Sequence, residues 1–153
     1  MLPFEEEIGA ALKEALKAKD QVKLDVLRDM KSSLQYKFIE KKQQTLSLEE
    51  AFFVFQSLIK QREESCQQYE KFNRPDRAAK ERREVEIISL FLPKPLSEEA
   101  LHTIIQETIE ELKAQSSQDM GRVMKALKFK IVGRADGKKV ATLVQGALAK
   151  LQG

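Results

Sequence analysis

Apolar residues recur along the whole chain at three- and four-residue steps with polar residues between them, the period of amphipathic helices. Ile8, Leu12 and Leu16 make one stripe, and Leu27, Met30, Leu34 and Phe38 a second. Phe52, Phe55, Ile59, Cys66 and Tyr69 keep close to a seven-residue repeat, which predicts a long third helix. Val85, Ile88, Phe91 and Leu92 then belong to a fourth. Three shorter stripes follow: Leu101, Ile104, Ile105, Ile109 and Leu112; Met120, Val123, Met124, Leu127 and Ile131; and Val140, Leu143, Val144, Leu148 and Leu151.

The punctuation between stripes agrees with this count. Pro3 suits the first turn of a helix whose N-terminus is made acidic by Glu5, Glu6 and Glu7. A break is expected at Lys19-Asp20 and another at Gln43-Gln44-Thr45-Leu46, after which Ser47 and Glu50 have capping-box spacing. Pro75 restarts the chain as a first-turn residue, Ser97 caps the fifth helix, and Ala114 to Gln118 is a polar loop. Gly133 ends the sixth helix and Asp136 caps the seventh. Leu92-Pro93-Lys94-Pro95-Leu96 cannot lie inside a helix, because neither proline donates a backbone hydrogen bond. The pattern therefore predicts an all-α protein in two parts, a four-helix bundle-like domain over residues 1–94 and a small three-helix domain over 95–153.

Composition narrows the class. With 153 residues, 42% hydrophobic, 33% charged and no Trp, the chain favours long solvent-facing helices over strands. No stretch approaches the ~20 apolar residues of a membrane span, and the acidic start lacks the positive charge of a secretory signal. A single cysteine, Cys66, forms no internal disulfide, so a reducing compartment and a cytoplasmic address are expected. Net charge is only +3, yet its distribution is uneven: residues 96–118 hold one Lys against five Glu, and residues 119–153 hold eight Lys or Arg against two Asp.

Catalytic constellations are sparse. The one histidine, His102, has no Cys or His nearby in sequence with which to hold zinc, so no metal and no cofactor is expected. Cys66 lacks an activating base on its own helix and reads as a small apolar thiol. The turn from Gly133 to Gly137 lacks the Gly-Lys-Ser/Thr ending of a phosphate loop and follows no strand. Arg74, Arg77, Lys80, Arg82 and Arg83 are interleaved with acids, as on a solvated helix face.

The last two helices are different, because Arg122, Lys125, Lys128, Lys130, Arg134, Lys138 and Lys139 gather where carboxylates are scarce. Such a face neutralises phosphates without reading bases, and the same charges serve equally as a solubilising surface. Phe129 falls nearly opposite the apolar stripe, one turn after Lys125. It is a candidate for stacking on an unpaired base, or for packing on the first domain or closing the helix.

The run Asp119-Met120-Gly121-Arg122-Val123-Met124-Lys125-Ala126-Leu127, followed by Gly133-Arg134-Ala135-Asp136-Gly137, resembles the signature of the GatB/YqeY family. Leu27-Arg28, Lys31-Ser32-Ser33-Leu34, Asn73-Arg74 and Leu92-Pro93 before Leu96-Ser97-Glu98-Glu99 extend the likeness over nearly the full chain. The resemblance implies an all-helical fold with a C-terminal domain similar to the tail of GatB, a subunit of the glutamine-dependent amidotransferase that acts on mischarged Glu-tRNA or Asp-tRNA. It implies partnership with tRNA or a tRNA-bearing enzyme complex, contacted by Lys125, Arg134 and Lys138, with the chemistry in domains absent here. Phe129 and Val132 depart from that pattern, since the family carries Pro near the first and a basic residue near the second. Two alternatives stand beside a non-catalytic RNA binder: a carbon-nitrogen ligase using glutamine as amido donor through Cys66, and an adaptor docking a helix on the basic hairpin or on Phe52, Phe53 and Phe55.

Overall fold

The computed structural model describes residues 2–42 and 45–152, and within these the chain is all-α, with seven α-helices, one 3₁₀ turn and no strand. It divides into two compact units, Met1–Pro93 and Lys94–Gly153. The break expected at Gln43-Gln44 lies outside the described residues.

The first unit holds α1 (Glu5–Ala18), α2 (Gln21–Glu40), α3 (Leu48–Lys71) and α4 (Pro75–Ser89). Asp20 caps α2 by accepting from the Lys23 N–H at 3.2 Å. Ser47 and Glu50 close the expected capping box on α3 with reciprocal bonds of 3.1 and 3.2 Å, and Lys41 pairs with the same Glu50 carboxylate. Pro75 occupies the first turn of α4. The longest contact runs between α3 and α4, and the core gathers Leu27, Met30, Leu34, Phe55 and Ile88, all essentially inaccessible. Each such side chain contributes about 1.5–3 kcal/mol of hydrophobic stabilisation.

Two details of α1 differ from the sequence expectation. Pro3 precedes the helix, which begins at Glu5 behind Phe4 in the left-handed conformation, φ 65°. Left-handed backbone costs a non-glycine residue about 1–2 kcal/mol, and ring burial offsets it: Phe4 packs on Phe55 at 5.3 Å, Phe52 at 5.9 Å and Phe91 at 6.0 Å between centroids. The inner stripe of α1 is Ile8, Leu12 and Ala15, whereas Leu16 is exposed, because the helix turns its small residue toward the core.

The second unit holds α5 (Glu98–Leu112), a 3₁₀ turn (Ser117–Asp119), α6 (Met120–Ile131) and α7 (Gly137–Gln152). Ser97 caps α5 by accepting from the Ala100 N–H at 3.0 Å. One apolar stripe from each helix meets in a separate core, with Leu101 and Ile105 from α5, Val123 and Leu127 from α6, and Val144 and Leu148 from α7. Thr108 is the buried polar side chain of this unit, its hydroxyl donating to the Ile104 carbonyl at 2.8 Å.

Candidate nucleic-acid interface

The basic hairpin is built from α6, α7 and the turn between them. Gly133 adopts φ 77°, which leaves the Arg134 N–H free to cap the Ile131 carbonyl at 2.9 Å and lets the chain reverse. Val132 is buried in this turn. The Asp136 carboxylate accepts from the Lys138 N–H at 3.2 Å at the start of α7. At the other end of α6, Ser116 and Asp119 form a second capping box. Asp119 accepts from the N–H groups of Gln115 at 2.8 Å and Ser116 at 3.3 Å and from Arg122 at 2.9 Å. These donors hold its carboxyl below the usual aspartate range, the Gln115 bond most of all. Ser116 and Asp119 carry the Ser-x-x-acid spacing that signals such a box, obscured here by the surrounding run of polar residues.

The seven cations expected to meet phosphate are not equivalent. Arg122 is drawn to Asp119, and Lys139 reaches across to Glu98 on α5 at 2.8 Å, holding that carboxyl low. Lys130 donates to Thr108 at 2.9 Å and pairs with Glu111 at 3.0 Å, tying α6 to α5. Arg134 is tied twice to the segment before α5, its Nε donating to the Lys94 carbonyl at 3.1 Å and its own carbonyl accepting from the Leu96 N–H at 2.9 Å. Lys128 is exposed on α6. Among the described residues, the ammonium groups of Lys125 and Lys138 have no partner, and both side chains are exposed. Phe129 is 71% exposed and lies within the last turn of α6, not at its end.

Elsewhere the chemistry is structural. Cys66 is buried, its thiol donating to the Ala78 carbonyl at 3.5 Å, with the Arg82 guanidinium 3.3 Å from the sulfur and paired to Glu70. His102 is exposed. No group of three His, Cys, Asp or Glu side chains suited to a metal occurs among the described residues, and no described helix is long and apolar enough to cross a membrane. Phe52, Phe53 and Phe55 form no common outer face, because Phe55 is core and only Phe53 is exposed. Phe53 instead borders an open hollow of about 620 Å³ between α2 and α3, with Tyr36, Val54 and Leu58.

An all-helical protein of two units, the second carrying a basic hairpin, is the class that fold and site define. The chain belongs to the YqeY-like protein family, whose pattern it matches over residues 5–148. Among curated proteins it is similar to altered inheritance of mitochondria protein 41, mitochondrial, of Vanderwaltozyma polyspora, with 34% identity over 104 residues, covering 67% of this chain and 56% of that protein. The Saccharomyces cerevisiae protein of the same name is 27% identical over 133 residues, covering 86% of this chain and 69% of its own length. These relatives are named as mitochondrial, which corrects the expectation of a cytoplasmic address. A lone thiol argues for reducing surroundings and cannot choose among aqueous compartments.

Proposed function

We propose that the C-terminal unit binds tRNA, free or carried by a tRNA-dependent enzyme complex, through the outer face of α6 and the first turn of α7. The observation that carries this reading is that Lys125 and Lys138 are exposed without a carboxylate partner on a hairpin where Arg122, Lys130 and Lys139 are each paired to one. Arg122 and Lys139 are held only by exposed, solvent-screened ion pairs, so a phosphate displaces the carboxylate at little cost. Arg134 positions the turn from which Lys138 projects. The likeness of Asp119 to Leu127 and Gly133 to Gly137 to the GatB signature favours tRNA over other polyanions.

Lys125→Ala with Lys138→Ala is expected to weaken tRNA binding at low salt and to lower the slope of log affinity against log salt by about 1 to 2, as each lost phosphate contact releases fewer counterions. Arg134→Ala weakens binding further and also lowers the melting temperature, because its tie to the Lys94 carbonyl is lost. Mobility shift across a salt series checks this. Wild-type protein that fails to shift tRNA at low salt, or a double variant that shifts it unchanged, removes the proposal.

A further inference from the structure

We propose that Phe129 is a stacking platform for an unpaired base, so that the ligand class of this face is RNA with a single-stranded or looped segment, not uninterrupted duplex. This rests on the RNA reading above and specifies which part of the RNA is met.

At about 100° per residue, the buried stripe of α6 spans Val123, Met124, Leu127 and Ile131, and Phe129 stands opposite its centre. Around the outer half of the helix lie, in angular order, Lys128, Gly121, Lys125, Phe129, Arg122, Ala126 and Lys130. The ring is thus in the middle of the cationic face, and the non-cationic residues beside it are small. An added Cβ at Gly121 meets nothing within 4 Å, so the surface two turns before the ring is open.

An exposed aromatic of this kind usually answers a hydrophobic partner, but the surroundings do not suit one. Among the described residues of this unit the only other exposed large hydrophobic is Leu151, at the far end of α7. A docked helix or a lipid surface needs several apolar residues side by side, whereas one base needs one ring. The charges nearest along the helix are positive, which matches the phosphates on either side of a stacked base and repels a basic partner.

The test uses the full chain and three fluorescent probes of equal length: a purine-rich single-stranded RNA, the same strand with abasic positions, and its uninterrupted duplex. Phe129→Ala is expected to weaken the single strand about tenfold or more while leaving the abasic strand, the duplex and the salt slope unchanged. Phe129→Trp, which introduces the sole Trp of the chain, is expected to retain affinity and to show emission quenched by the intact strand and not by the abasic one. Lys125→Ala with Lys138→Ala is expected to weaken all three probes. Stacking is overturned if Phe129→Ala binds the single strand like wild type, or loses affinity for all probes equally; the basic-face reading then survives so long as the lysine variant still weakens every probe. Failure of wild type to bind any probe overturns both. Binding to anionic vesicles that depends on Phe129, with no RNA effect, assigns the ring to lipid and overturns the proposal.

Discussion

Gly133 shows how a single residue sets the hairpin. Its φ of 77° lies where an L side chain is strained, and the reversal it permits brings Arg134 back to cap α6 and to meet the chain before α5. Gly133→Ala is expected to cost about 1–2 kcal/mol, read as a lower denaturation midpoint for the C-terminal unit. The lysines teach the complementary lesson. Lys125 and Lys130 are five residues apart on one helix, indistinguishable by charge or exposure pattern in sequence, yet Lys130 is bound to Thr108 and Glu111 whereas Lys125 is unpartnered. The basic face was legible from the sequence because charge density is local. Its division into structural and available cations was not, because that depends on which acids α5 presents across the interface between helices.

At the scale of elements, the helices were readable because their ends carry strong local chemistry: Ser47 with Glu50, Pro75, Ser97, Gly133 and Asp136 all act where their types predict. The start of α1 departs from the sequence pattern because Phe4 is held by three distant rings, a tertiary effect that overrides the preference of Pro3 for a first turn. The 3₁₀ turn that leads into α6 is held by the Asp119 carboxylate, and this gives a pH dependence with a definite sign. Its folded value lies below its ordinary one, so the native state binds fewer protons there than the unfolded chain. The stabilisation is complete above the ordinary aspartate value and is lost as pH falls through the lowered one. Glu98, held down by Lys139, acts in the same direction in the same unit. Glu81, raised first by burial and then by Glu84, acts oppositely in the first unit: its contribution is present at low pH and lost as pH rises through its folded value. Asp119→Asn is therefore expected to lower the melting temperature at neutral pH and to flatten, without abolishing, its decline in acid. Melts of the two proteins across that range check it; parallel curves contradict it.

At the scale of the whole molecule, the described residues form two core clusters, one in each unit: Leu27, Phe55 and Ile88 belong to the first, Leu127, Val144 and Leu148 to the second. Cooperativity follows from shared packing, so two cores imply two unfolding transitions. The sequence supplies a way to see them apart, because it has no Trp and both tyrosines, Tyr36 and Tyr69, lie in the first unit. Tyrosine emission therefore reports on that unit alone, and far-ultraviolet circular dichroism on both. Leu27 and Leu127 are each fully inaccessible, and truncation to Ala removes about 2–5 kcal/mol from the core concerned. Leu127→Ala is expected to shift part of the dichroism transition to lower denaturant while leaving the tyrosine midpoint in place. Leu27→Ala is expected to shift the tyrosine midpoint. A shift of both probes by the same amount in both variants means that the units unfold as one. The first result has a consequence for testing the proposal as well: the basic face can then be destabilised by substitutions in its own small core without disturbing the helices before Pro93, which separates loss of the proposed RNA binding from loss of the protein.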